Sequence, residues 1–191
     1  MCTLQSNPGD YLLFLGRFTE GKGVLAAIDT RALGLVVVAL GGGRRRGGEA
    51  IDPRVPVPSN PVPGPVDAAL AACLLEHRVD WVITAGYLKK IGPSTLAAFP
   101  NKIINIHPAL LPNYGGAGMY GQNVHRAVLA ANERQSGATV HYVTAHYDEG
   151  AIIAQNHVNI TQGMTPDSLA EAILKIEHPL LVQALQGLLT H

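Results

Sequence analysis

Asn105 and His107 stand two residues apart at the end of the apolar run Ile103 to Ile106, and Pro108 follows at once. β-Branched residues favour a buried strand there. Pro108, with no N–H to donate, ends its ladder. Residues two apart on a strand point to the same side of the sheet, so a carboxamide and an imidazole leave a buried strand together. Open α/β sheets gather their chemistry at such carboxyl ends. Taken alone, a histidine before a proline at a strand end is more often structural than catalytic. Its company points to chemistry, because the downstream stretch ATVHYVTAHYDEG brings His141, His146 and Asp148. A carboxamide N–H polarises a carbonyl and holds its developing oxyanion. An imidazole donates to that oxygen or moves a proton near neutral pH. A carboxylate raises the imidazole's pKa and orders a water that shuttles the proton. Together these suit an acyl transfer whose nucleophile belongs to the substrate, since no Ser or Cys is placed to form a covalent intermediate. A metal site from His107, His141, His146 and Asp148 is the weaker reading: HExxH and paired cysteines are absent and Asn105 is a poor ligand. No metal is expected.

The elements that must position these groups alternate along the chain. Tyr11 to Leu15 and Leu35 to Leu40 read as buried strands, joined through the glycine-containing loop Gly16 to Gly23 and a short helix, Val24 to Thr30. That order predicts a parallel sheet with right-handed crossovers. The loop carries neither GxGxxG nor GxxxxGK[ST], so it is a weak phosphate signal. GGGRRRGG (41–48) reads as a solvated loop, with Arg44, Arg45 or Arg46 closing over an anionic ligand group as the functional alternative. Prolines crowd Ile51 to Pro65, which reads as an extended surface crossing. A helix from Val66 to His77 follows, with Asp67 in its first turn favouring the dipole. Then come a strand (Trp81 to Thr84), a short helix (Ser94 to Phe99) and the Ile103 strand. Gly115 to Gly121 reads as a mobile loop, and Asn123 as the cap of a helix to Ala131. Ala138 to Thr144 alternates as a strand with one polar face, and Ile152 to Ile160 pairs with it as an antiparallel edge hairpin. Thr165 caps the last helix with Pro166 at its first position. Leu169, Ile173, Ile176 and Leu180 form that helix's core stripe, and Pro179 is expected to kink it.

With 191 residues, 47% hydrophobic and 15% charged, the chain reads as one compact domain rather than a disordered one. Fourteen basic and fourteen acidic residues cancel, so no global field draws it to nucleic acid or membrane, and small-molecule substrates are the expected partners. Cys2 and Cys73 make no disulfide framework or metal spacing. Leu35 to Leu40 is too short to span a bilayer, and the N-terminus does not read as a signal peptide, so a cytoplasmic location is expected. The oligomer is open between monomer and homodimer.

AGYLKKI, AAFPNKIINIHPALLP, GGAGMYGQNVHRAV, GATVHYV, YDEGAIIAQ and IEHPL follow one another from Val79 to Leu185. This ordered set resembles the phosphoribosylglycinamide formyltransferases, which use 10-formyltetrahydrofolate as cosubstrate. The resemblance implies a Rossmann-like α/β formyltransferase fold, a mostly parallel twisted sheet of seven strands flanked by helices with an antiparallel edge in the C-terminal half. It divides a single domain, 1–191, into a divergent acceptor half (1–78) and a folate and catalytic half (79–191). It implies Asn105, His107 and Asp148 as the catalytic trio, with His141 supporting. The folate pocket maps to Leu88, Lys89, Ile91, Ala145, His146, Tyr147, Glu149 and Gly150. Glu177 matches the position that contacts glycinamide ribonucleotide. In place of the family's Gly-Ser-Asn phosphate turn stands Gly21-Lys22-Gly23, with Lys22 replacing the Ser and Asn donors. The implied reaction is formyl transfer to the amine of glycinamide ribonucleotide in purine biosynthesis. A formyltransferase for another amine, and a formyltetrahydrofolate hydrolase, stay open as alternatives.

Overall fold

A computed structural model of the chain describes residues 11–16, 36–40, 64–76, 79–87 and 89–189, the first two segments as backbone alone. The expected Val24 to Thr30 helix, the Arg44 to Arg46 loop and most of the proline-rich crossing lie outside the described residues. The elements run β1 (Tyr11–Gly16), β2 (Val36–Leu40), α1 (Gly64–Glu76), β3 (Trp81–Ala85), α2 (Pro93–Ala98), β4 (Ile103–His107), α3 (Gln122–Ala130), β5 (Gln135–Tyr142), β6 (Ile152–Asn159) and α4 (Pro166–Leu189). Helix α1 begins earlier than expected and takes in Pro65, which a first turn tolerates because its N–H has no helical partner anyway.

The strands form one sheet in the order β2-β1-β3-β4-β5-β6, six among the described residues against the seven implied by the resemblance. β1 to β4 are parallel, while β5 and β6 add the expected antiparallel edge. Both faces of the sheet are covered. On one, Trp81, Ile83, Ile104 and Ile106 pack with Leu169, Ile173, Leu181 and Leu185 of α4 and with Val124 and Val128 of α3. On the other, Val82 and Ile103 pack with Leu70 and Leu74 of α1. Such two-sided burial explains why β3 and β4 read as near-continuous apolar runs.

Several local expectations change. β5 has no solvent-facing polar side: Thr139 and His141 are as buried as Val140. The Thr139 hydroxyl donates to the Ala109 carbonyl at 2.6 Å and accepts from the Leu111 N–H at 3.1 Å, so its polarity is spent inside the protein. Asn123 does not cap α3. Gly121, at φ 53°, holds that position, and the Asn123 amide donates back to the Gly118 carbonyl at 3.0 Å. Thr165 does cap α4: its hydroxyl accepts from the Ser168 N–H at 3.2 Å, and Ser168 Oγ accepts from the Thr165 N–H at 2.9 Å. α4 continues through Pro179. Among the described residues no helix is long and apolar enough to cross a membrane.

Asp67 serves a helix other than its own. Buried at 1% exposure, it accepts from the Ser94 N–H at 2.6 Å, the Thr95 N–H at 3.3 Å and the Thr95 hydroxyl at 2.6 Å, capping α2 from α1. Gly92 is required beside it, because a Cβ there would overlap the carboxylate. Burial pushes the Asp67 pKa up, but the bonds from Thr95 and Ser94 outweigh it and hold the group below its ordinary value. Asp67→Ala removes acceptors from two N–H groups and a hydroxyl, and should cost about 1–3 kcal/mol in urea unfolding. An unchanged midpoint contradicts this role.

Candidate functional site

The strand registers build the site. Thr84 of β3 stands opposite Asn105 of β4, and Asn105 stands opposite His141 of β5. Three polar side chains thus form a row across three neighbouring strands. The Thr84 hydroxyl donates to Asn105 Oδ1 at 2.8 Å and lies 3.1 Å from the Ile104 carbonyl. Asn105 Nδ2 lies 3.1 Å from His141 Nε2, and His141 Nδ1 lies 2.9 Å from the Tyr142 carbonyl. A carbonyl accepts only, so His141 carries a proton on Nδ1.

Asp148 meets this row from the turn after β5. Its Oδ1 lies 3.5 Å from His141 Nε2, its Oδ2 3.6 Å from His107 Nδ1, and the Gly116 N–H donates to Oδ2 at 2.9 Å. The backbone at Asp148 is left-handed, φ 57°, a conformation in which Asp is enriched among non-glycine residues. His107 Nε2 donates to the Tyr114 carbonyl at 2.8 Å, which leaves Nδ1, facing Asp148, as the nitrogen that gains or loses the proton.

Burial pushes the Asp148 pKa up, but hydrogen bonding from His141, the charge that His107 carries when protonated and the Gly116 N–H together bring it below the usual carboxylate value. For His107 the Asp148 charge acts in the expected direction, but burial weighs more. Burial lowers its pKa by more than the Asp148 charge and the bond to Tyr114 raise it. The carboxylate therefore moderates the depression of the imidazole and does not raise it above its ordinary value.

A cavity of about 480 Å³ opens beside this cluster, within the range of small-molecule sites. Asn105, His107, His141 and Asp148 line it, as do Lys89, Ile91, His146, Tyr147 and Glu177. The Lys90 ammonium sits 5.8 Å from the centre of the Tyr147 ring, linking the loops after β3 and β5. Ala145, Glu149 and Gly150 are not among the lining residues. Gly150 is instead buried against the Tyr142 carbonyl, where a Cβ would collide. Leu88, Gly21, Lys22 and Gly23 lie outside the described residues. Thr84, Tyr87 and the Tyr114 carbonyl were not singled out in the sequence. Thr84 carried the same signal as Asn105, a polar residue near the carboxyl end of a buried strand. No three His, Cys, Asp or Glu side chains among the described residues are arranged to hold a metal ion.

The family model "Formyl transferase" matches residues 60–185. The chain is 37% identical over 182 residues to a chloroplastic phosphoribosylglycinamide formyltransferase of Arabidopsis thaliana, covering 95% of this chain and 56% of that protein. It is 38% identical over 125 residues to the phosphoribosylglycinamide formyltransferase of Bacillus subtilis, covering 64% of this chain and 62% of that one. It thus spans little more than half the length of these curated relatives. The crystal structure of phosphoribosylglycinamide formyltransferase from Bacillus halodurans superposes with a TM-score of 0.69 at 27% identity, covering 94% of this chain and 95% of that one.

The lowered His107 pKa predicts a stability change with a definite sign. Below about pH 6.5 the unfolded chain takes up a proton at His107 that the native site resists. His107 therefore opposes folding increasingly as pH falls from that value toward its lower native pKa. Melting temperatures at pH 7.5 and 5.5 should drop further in the wild type than in His107→Gln. An equal drop contradicts the depressed pKa.

Proposed function

The chain belongs to the formyl transferase family, and we propose that it moves a formyl group from 10-formyltetrahydrofolate to the primary amine of glycinamide ribonucleotide. One observation carries the reading: a carboxamide, an imidazole and a carboxylate meet at one wall of the cavity, in a chain similar to proteins that bear this activity in their names. A cytoplasmic location is part of the proposal.

The cavity residues fit a folate-type cosubstrate. Ile91 and Val143 supply apolar wall, Tyr147 an aromatic face, and Lys89 and Lys90 cations for carboxylates. The cosubstrate supplies the activated formyl carbon. The chain's part is to position it, receive charge and move a proton. Asn105 Nδ2 sits 3.1 Å from His141 Nε2 at the cavity wall, and its N–H donates to the formyl oxygen as the amine attacks. His107 is held neutral by burial, with its bare Nδ1 beside Asp148, so it is poised to take the proton that the amine sheds. Once protonated, it sits beside an ionised carboxylate and adds positive charge near the developing oxyanion. Asp148 thus makes proton uptake easier than burial alone would allow. Glu177 is assigned to the acceptor, with Gly21, Lys22 and Gly23 at its phosphate.

Incubation with formyl donor and glycinamide ribonucleotide should release folate, and release should require the amine. Donor consumption without an amine points to a hydrolase instead. His107→Ala and Asp148→Asn should each lower kcat by about 10²–10⁴-fold, and Asn105→Ala by about 10²–10³-fold, with the fold retained. Turnover near wild type in any of them refutes that residue's role. Lys22→Ala should raise the acceptor's KM more than it lowers kcat.

A further inference from the structure

We propose that Thr139 is a positioning residue: with Gln155 it clamps Leu111, and through Leu111 it seats the Tyr114 carbonyl on His107 and the Gly116 N–H on Asp148. The proposal rests on the reading of His107 as the base that takes the proton shed by the amine.

Thr139 of β5 stands opposite His107 of β4 and is fully buried. Its hydroxyl is used to capacity. It donates to the Ala109 carbonyl at 2.6 Å, and it accepts from the Leu111 N–H at 3.1 Å and from Gln155 Nε2 at 2.9 Å. The sense of these bonds is settled, because a carbonyl only accepts and a backbone N–H only donates. Gln155 Nε2 also donates to the Leu111 carbonyl at 2.9 Å, so Leu111 is held at both its N–H and its carbonyl. The held backbone carries a buried side chain. That side chain lies under Gly115, where a Cβ would come within 2.6 Å of it. The residues on either side of Gly115 serve the site. The Tyr114 carbonyl accepts from His107 Nε2 at 2.8 Å, and the Gly116 N–H donates to Asp148 Oδ2 at 2.9 Å.

This seating decides where neutral His107 keeps its proton. Asp148 Oδ2, 3.6 Å from Nδ1, draws the proton toward that nitrogen, whereas the Tyr114 carbonyl holds it on Nε2. The carbonyl is at hydrogen-bond length and the carboxylate is beyond it, so the carbonyl prevails. Nδ1 stays bare and can take the amine's proton. With the clamp released the carbonyl withdraws, Asp148 becomes the nearer acceptor, the proton passes to Nδ1 and the base is lost.

Thr139→Val keeps the branched shape that a strand favours and deletes the hydroxyl, while Thr139→Ser keeps the hydroxyl. In ligand-free, ¹⁵N-histidine-labelled chain, at a pH where the imidazole is neutral, His107 should carry its proton on Nε2 in wild type and Ser and shift it toward Nδ1 in Val. With formyl donor and glycinamide ribonucleotide, kcat should fall at least about tenfold in Val, with the donor's KM within about threefold, and Ser should recover most of it. Should Thr139→Val fail to fold, Gln155→Met, made at an exposed position of β6, decides by the same two readouts. A proton that stays on Nε2 in the folded variant overturns the proposal, even if the melting temperature falls, because a merely structural clamp gives that result. A shifted proton with unchanged kcat overturns it as well. Because the tautomer is read without substrate, absence of formyl transfer in the wild type sinks the functional reading, while the tautomer by itself upholds or overturns the clamp.

Discussion

The site depends on the buried carboxylate of Asp148. Placed with 11% of its side chain exposed, it gives up most of its hydration and needs compensation within the fold. The Gly116 N–H donates to it, and the imidazoles of His141 and His107 stand within 3.6 Å of it, each coming from a different part of the chain. Meeting that requirement fixes more than the carboxylate. It ties the segment after β4 to the turn after β5 across the face that carries Asn105, His107 and His141. Gly115 is part of the same constraint, because a Cβ there would press on both Leu111 and Asp148.

The second constraint is register. Thr84, Asn105 and His141 lie side by side because β3, β4 and β5 pair residue for residue, and a one-residue slip would send any of them to the opposite face. Ile104 and Ile106 hold β4 against slipping by burying their side chains on the face covered by α3 and α4. Polar precision thus rides on apolar packing one residue away. A site carried by central strands is held more rigidly than one built on loops alone. The loops here supply the parts that must approach from above, namely Asp148, Tyr147 and the Tyr114 carbonyl.

Much of this was legible in the chain. The apolar run ending in Asn105 and His107, with Pro108 to stop it, specified a strand end and a shared face. The motif order through Asp148 and Glu177 pointed to the family. What escaped was polarity that is satisfied internally. Thr139 and His141 read as a polar face, but alternation does not reveal that this face is bonded inside the protein. Asp67 stands in the first turn of its own helix as read, but its bonds to Ser94 and Thr95, far along the chain, were not visible. Asn123 looked like a cap, but Gly121 at φ 53° makes the turn that admits α3. The Asp148 charge raises the His107 pKa as read from the motif, whereas the burial that outweighs it is not visible in a motif. Gly21, Lys22, Gly23 and Leu88 lie outside the described residues.

The question on which all of this turns is where the formyl carbon goes. The most direct measurement follows it by ¹³C NMR, using donor labelled at the formyl carbon, glycinamide ribonucleotide and the purified chain. Transfer predicts that the label leaves the folate and reappears as an amide carbonyl on the acceptor's nitrogen. Label found in free formate, or still on the folate, contradicts a formyl-transfer site at Asn105, His107 and Asp148.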